Sequence, residues 1–345
     1  MKSHAVVFTG PNQVSYQEVD CPEPGPGDLV IELHHSWISN GTEGSFLRGE
    51  RLSGDVAWKA GDPSPFPMVA GYQKTGRVTQ VGANVKGYTI GDWVYSSMSK
   101  VKGTFIDNYA GHVSPSVCDP YWVLPLPAGA NPVAFSGLML TQVGYNCGTR
   151  SPIKPGQVAV ILGDGLVGHW AGQTLASQGA KVIMVGRHAD RLARFQRHGS
   201  TVRGGQDRGV ADVRALGLGP IQVLVETTGD ATMLESYRPL MVGSGHMVIA
   251  GFYPRQGLVN FQEMLQTFRN HEMTFDLVSG GSRERISETL KWVADGRLDT
   301  LSLLTHRFPV EEAAKVWRLI ESKSEPVLGV VLDWPASRAN SISTP

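Results

Sequence analysis

Five apolar residues in a row, Val158-Ala-Val-Ile-Leu162, run straight into Gly163-Asp164-Gly165-Leu166-Val167-Gly168. An amphipathic helical stretch, His169 to Gln178, follows and stops at Gly179. An unbroken apolar run is what a strand buried on both faces of a parallel sheet looks like. The spacing G-x-G-x-x-G alone also fits an ordinary tight strand-to-helix turn. Between a buried strand and a helix it reads as a dinucleotide loop. There, Gly163 permits the turn, Gly165 lets backbone approach a pyrophosphate, and Gly168 lets the helix pack close to the strand. The helix N-terminus offers free N–H groups and a positive dipole end to the phosphates.

The tip of the second strand bears on which dinucleotide is held. Where an NAD site usually carries Asp or Glu for the ribose hydroxyls, Lys181 to Val185 is followed by Gly186-Arg187-His188, with Arg191 one helical turn on. Glycine leaves room, and a guanidinium suits the 2′-phosphate of NADP. NAD remains open, with Arg187 stacked on the adenine. Thr227, Gly251 and Phe252, at the ends of the strands Ile221 to Glu226 and His246 to Phe252, complete the expected cofactor set. Asp164, Leu166, Val167 and His188 belong to it through the loop and the strand tip.

The rest of the chain divides by texture. The first 125 residues are short apolar runs (Ala5 to Phe8, Asp28 to Leu33, Gly76 to Val81, Asp92 to Tyr95) between Gly, Pro and Asn turns, as in an all-β domain. Leu47 to Pro67 has little periodicity and reads as a long loop. From about residue 132 strands and helices alternate, which means βαβ units. A helix is expected at Pro132 to Cys147, another at Asp190 to His198, and a further strand at Met273 to Val278. Helices at Ser282 to Ala294 and Val310 to Ser322, a strand at Val327 to Leu332 and a polar, frayed tail at 337–345 close the chain.

Composition excludes several function classes. Lys+Arg and Asp+Glu are both 31, so nothing marks a nucleic-acid or anionic-membrane surface. Three scattered cysteines, Cys21, Cys118 and Cys147, make neither a disulfide framework nor a four-cysteine zinc knot. Cys147 reads as a small core residue. No signal-peptide stretch opens the chain, and no run is long enough to span a membrane. The expectation is a cytoplasmic protein.

A β-rich half, a dinucleotide fold and a returning tail together resemble the medium-chain dehydrogenase/reductase superfamily. The matching segments are Val69 to Gly82, Gly91-Asp92-Trp-Val, Leu124-Pro-Leu-Pro127, the glycine loop and Thr305 to Ala314. The resemblance implies an α/β chain. A GroES-like β-rich catalytic domain spans 1–128. A Rossmann domain with a doubly wound parallel sheet spans 129–276. A return segment, 277–345, completes the first. It also implies a homodimer through the last strand of the parallel sheet. The zinc members carry Gly-His-Glu where this chain has Gly71-Tyr72-Gln73, and a Cys-His-Thr-Asp-like run where it has Ser39-Asn40-Gly41-Thr42-Glu43. Asn40, Tyr72 and Met139 stand where the ligands would fall, so no zinc is expected. A set rebuilt from His34, His35 and Glu43 is the alternative; both histidines otherwise read as half-buried strand residues. The Ser-Asn-Gly-Thr-Glu and Gly-Tyr pair is most similar to the zinc-lacking branch that includes bacteriochlorophyllide dehydrogenase, and the tail resembles polyol and threonine dehydrogenases.

Without the metal, another group must handle the proton. Tyr72 and Lys74 are two apart in a strand-like segment and can share a face. A lysine there would lower the phenol's pKa, and the pair would do acid–base work. Ser39, Thr42 and Glu43 come from the loop that lines the same cleft in the family, and Ser39 or Thr42 would serve as a hydroxyl relay. The plainer reading has Tyr72 filling the vacated zinc pocket and Lys74 reaching solvent. Tyr109, Trp58 and Trp122 are candidate substrate aromatics; His112 receives no role. Three functions follow: a zinc-independent NADP(H) oxidoreductase interconverting a secondary alcohol and a ketone on a polyol-, sugar- or ring-like small molecule, a quinone or enone reductase, and a nucleotide-binding protein without turnover.

Overall fold

The computed structural model describes residues 1–204, 208–253 and 261–336; the expected frayed tail lies outside them. The chain forms two compact units, one of Met1–Leu140, Ser282–Ala294 and Thr300–Pro345, the other of Thr141–Gly281 and Asp295–Asp299.

The second unit holds a six-stranded, all-parallel sheet. Counted in chain order, its strands are Val158–Leu162, Lys181–Gly186, Ser200–Arg203, Ile221–Glu226, Met241–Ile249 and Thr274–Leu277. They lie in the spatial order 3-2-1-4-5-6, the Rossmann arrangement, whose ligand crevice lies at the carboxyl ends beside the switch point. The apolar runs explain it. Ala159, Ile161, Val182, Met184, Val223 and Val225 pack on one face, and Val158, Val160, Leu162, Ile183, Val185 and Leu224 on the other. Both faces are buried, so period-2 alternation disappears from the sequence. Cys147 is fully buried on the first face, and burial pushes its thiol up to about 12.

The first unit is built on two sheets. In the larger, Leu29–Ile38 pairs with Lys74–Val81 on one side and Gly329–Asp333 on the other. The last described strand thus sits inside a sheet begun three hundred residues earlier, one place from its edge. Leu304–Pro309 joins it in parallel. The smaller sheet is centred on Lys2–Gly10. The helix Ala313–Ser322 seals the core, with Trp317 edge-on to Phe8.

Several expectations shift. The segment expected as a long loop contains a short hairpin, Arg51–Ser53 with Val56–Ala57. It is held by buried Arg51, which donates to the Gly54 carbonyl and to Asp55. The glycine-loop helix begins at Leu166 and ends at Ser177. His34 and His35 are buried, not half-buried. Among the described residues no helix is long and apolar enough to cross a membrane.

Candidate functional site

In the second unit the glycine loop has the expected construction. Gly163 has φ +117°, and a Cβ there would stand 2.3 Å from Thr227 Oγ1. A Cβ on Gly168 would stand 2.2 Å from the Gly163 carbonyl oxygen. Gly165 caps the helix Leu166–Ser177 and has open space where its Cβ would be. Leu166 and Val167 form the first turn, and the Thr227 hydroxyl donates back to the Leu162 carbonyl. Gly251 lies against the buried Glu226 carboxylate, which a Cβ would meet at 2.4 Å. Phe252 follows it, its carbonyl packed on Gly229.

An acid does sit at the tip of the second strand, contrary to the sequence reading, and it comes from the glycine loop. Asp164 Oδ2 accepts the backbone N–H groups of Arg187 and His188, both at 2.7 Å. The His188 ring nitrogen lies 3.0 Å from the same carboxylate and Arg191 at 3.6 Å. Burial opposes the charge, but the His188 hydrogen bonds and the nearby cations outweigh it and hold the carboxyl below its usual range. Arg187 is exposed. Arg203, which the sequence reading passed over, ends the neighbouring strand opposite Gly186 and is exposed too.

In the first unit Ser39, Thr42, Glu43 and Tyr72 come together. Ser39 caps the helix Asn40–Leu47, and Glu43 in its first turn accepts the Ser39 N–H at 2.8 Å. Burial pushes the Tyr72 phenol up to about 12, against hydrogen bonds to the Ser39 and Thr42 side chains that favour the anion. Phenol is therefore the form present at neutral pH. The Tyr109 ring lies 6.0 Å from that of Tyr72. Trp58 and Trp122 are placed elsewhere, Trp58 donating to the Pro63 carbonyl and Trp122 packed on Tyr121.

Lys74 does not join the group. It is fully buried and points its ammonium at the Ser99 hydroxyl and the Ala110 carbonyl. Burial lowers it to about 8. It neither lowers the Tyr72 pKa nor reaches solvent: Tyr72 sits in a bend ahead of the strand Lys74–Val81, so the two-residue alternation that would put both on one face does not extend to it.

The residue missed in the sequence is His112. Its Nε2 lies 3.0 Å from Glu43 Oε2 and its Nδ1 2.8 Å from Ser36 Oγ. Trp334 Nε1–H donates to the same Ser36 oxygen. Tryptophan can only donate, so Ser36 Oγ accepts from it while also facing His112 Nδ1. The clue was a pair of glycines. Gly71 has φ +78°, and a Cβ there would stand 2.5 Å from His112 Nε2. A Cβ on Gly111 would stand 2.1 Å from the Tyr72 nitrogen. Two glycines let Gly71-Tyr72 and Gly111-His112 cross in contact.

The sequence pattern of the family described as zinc-binding dehydrogenase matches residues 167–295. Over 98% of this chain and all of the relative, it is 24% identical to 2-desacetyl-2-hydroxyethyl bacteriochlorophyllide A dehydrogenase of Cereibacter sphaeroides. These likenesses support a place for the chain in the medium-chain dehydrogenase/reductase superfamily. Two solved structures share the fold of this chain. An Escherichia coli oxidoreductase/dehydrogenase of unknown specificity has a TM-score of 0.83 at 19% identity, covering 97% of this chain and 99% of that one. A Sinorhizobium meliloti protein described as a putative zinc-binding dehydrogenase bound to NADP has 0.80 at 21%, covering 96% and 99%.

The ligand-type side chains here do not fit a catalytic zinc. Zinc takes thiolate, imidazole and carboxylate donors in a tetrahedral set. The group has one carboxylate and one imidazole, and these are bonded to each other. His35 is committed to Asp333 at 2.8 Å, and His34 packs edge-on to Trp93. Among the described residues no three His, Cys, Asp or Glu side chains gather as a metal site.

Proposed function

We propose that the protein is a zinc-independent, NADP(H)-dependent oxidoreductase that interconverts a secondary alcohol and a ketone. The observation that carries the reading is the Tyr72 phenol, buried, protonated at neutral pH and hydrogen-bonded to Ser39 and Thr42, in the place of a family zinc ligand. A bound nicotinamide dinucleotide supplies the hydride, or takes it in the reverse direction. The chain supplies the proton and the positioning. Tyr72 donates to the developing alkoxide oxygen, which is what general acid catalysis requires of a neutral donor. Ser39 and Thr42 are the hydroxyls through which the proton is replaced. Glu43, held by His112 and the Ser39 N–H, fixes the turn that carries both.

NADP(H) is supported by exposed Arg187 beside Gly186, where a guanidinium suits a 2′-phosphate. The relatives named for bacteriochlorophyllide, xylulose and threonine chemistry act, by those names, on hydroxyl- or carbonyl-bearing molecules. This supports a hydroxylated or ring-like substrate.

The test is a panel of ketones, enones and alcohols assayed by absorbance of the reduced nicotinamide, with both cofactors. Ketone turnover with NADPH is expected. Turnover of enones alone would replace the reading with C=C reduction. Arg187→Ala is expected to weaken NADPH binding by about 1.5–3 kcal/mol, the range of a charge-assisted contact, with NADH little changed. Equal losses for both cofactors would refute the assignment of Arg187.

A further inference from the structure

We propose that Asp164 is a positioning residue for cofactor selectivity. It builds the Arg187-His188 turn from beneath, and in doing so consumes the carboxylate that would otherwise serve an NAD ribose. The inference rests on the NADP(H) reading above and names the residue behind that preference.

The argument begins with room. Gly186 has no left-handed φ to require a glycine. A Cβ there would stand 2.4 Å from Asp164 Cβ and Oδ2. Glycine is therefore needed at 186 for the space that Asp164 fills. The middle position of the glycine loop and the tip of the second strand are one fitted pair, 22 residues apart in sequence.

Donor counting comes next. A carboxylate has about four lone-pair sites. Asp164 faces the Arg187 N–H, the His188 N–H, the His188 ring nitrogen and the Arg191 guanidinium. Its side chain is only 7% exposed. With hydrogen bonds from three groups, an ion pair and so little exposure, the carboxylate is turned away from the hydroxyls that an acid at a strand tip takes in an NAD fold. The acid is present, but it faces the protein.

Charge completes the case. Arg187, Arg191 and Arg203, the last of them opposite Gly186, outnumber the carboxylates of Asp164 and Asp190, so the turn stays positive toward an incoming phosphate. With both N–H groups tied down at 2.7 Å, the backbone that carries Arg187 has one conformation, and less ordering is lost when a phosphate binds.

The experiment titrates intact wild type and variants with NADPH and NADH by fluorescence or calorimetry, so it needs no substrate. In Asp164→Asn the side-chain oxygen still accepts both N–H groups, and NADPH affinity is expected within about threefold of wild type. In Asp164→Ala the turn loses its anchor. NADPH affinity is expected to fall about tenfold or more, the scale of a lost charged hydrogen bond, while NADH changes by less than about threefold. Gly186→Ala, which pushes Asp164 out, is expected to reproduce that selective loss if the alanine variant at 164 does not fold. Equal loss of both cofactors, or no loss, in Asp164→Ala overturns the proposal. So does an Asp164→Asn enzyme that loses NADH about tenfold and keeps NADPH, since that carboxylate would then bind the ribose directly. A wild type that prefers NADH refutes the NADP(H) reading itself. A wild type that prefers NADPH with flat variants refutes only the role of Asp164.

Discussion

Tyr72 shows how a side chain's chemistry is decided by its surroundings. Its sequence position, two before a lysine, suggested a phenolate stabilised by an ammonium. The fold separates the pair, and burial moves the phenol the other way. The consequence is a donor that keeps its proton across the neutral and mildly alkaline range. Tyr72→Phe is expected to lower kcat at least about a hundredfold, with NADPH affinity unchanged. A variant within about threefold of wild type in steady-state kinetics would remove Tyr72 from the reaction. Lys74 has a thermodynamic signature instead. Its folded pKa, about 8, is below its ordinary value of 10.5, so the unfolded chain binds the proton more tightly. Its contribution is then present above about 10.5 and lost as pH falls from there to about 8. Compared with Lys74→Met, wild type should gain about 1–3 kcal/mol of unfolding free energy between pH 8 and about 10.5. Parallel urea curves across that window, with no relative gain, would contradict the assignment. The pairing of His112 with Glu43 is not in the local pattern, because the two are 69 residues apart and neither lies in a periodic run; only Gly71 and Gly111 hint at the crossing.

At the scale of elements, legibility followed burial pattern. The strands Val158–Leu162, Lys181–Gly186 and Ile221–Glu226 were legible because sheets covered on both faces need unbroken apolar runs. Ser200–Arg203 was not: it is four residues long, at an edge, and largely polar. The hairpin at Arg51 was hidden for a related reason, since a buried arginine rather than an apolar stripe organises it. The place of the Asp164 carboxylate at the second strand's tip is not legible locally, because its reach depends on how two strand ends align. The glycine loop allows a test that separates folding from binding. In Gly168→Ala the new Cβ would meet the Gly163 carbonyl at 2.2 Å, and a loss of about 1–3 kcal/mol of stability is expected. Gly165→Ala enters open space and should melt with wild type. It should nevertheless bind NADPH at least about tenfold more weakly, because the methyl stands where backbone approaches the pyrophosphate. A Gly165→Ala protein with unchanged affinity would refute the role of that position.

For the whole molecule, one sheet edge and the proposed independence of zinc carry the remaining expectations. The strand Thr274–Leu277 pairs with Met241–Ile249 on one side, and no described strand covers its other side. Phe275 and Leu277 on it are exposed. An open edge with apolar side chains invites pairing across a two-fold axis, and we propose a homodimer there. Light scattering at micromolar concentration should give twice the chain mass, and Leu277→Lys should shift it toward monomer; a wild-type monomer would contradict this. The central claim, that the chain's own hydroxyls and not a zinc ion handle the proton, has a more direct test. Protein purified without added metal is assayed for zinc and for NADPH-dependent ketone turnover, before and after exhaustive treatment with a chelator. The account predicts far less than one zinc per chain and the same turnover on both sides of the treatment. Stoichiometric zinc, with turnover lost on chelation and restored by adding the metal, would contradict it.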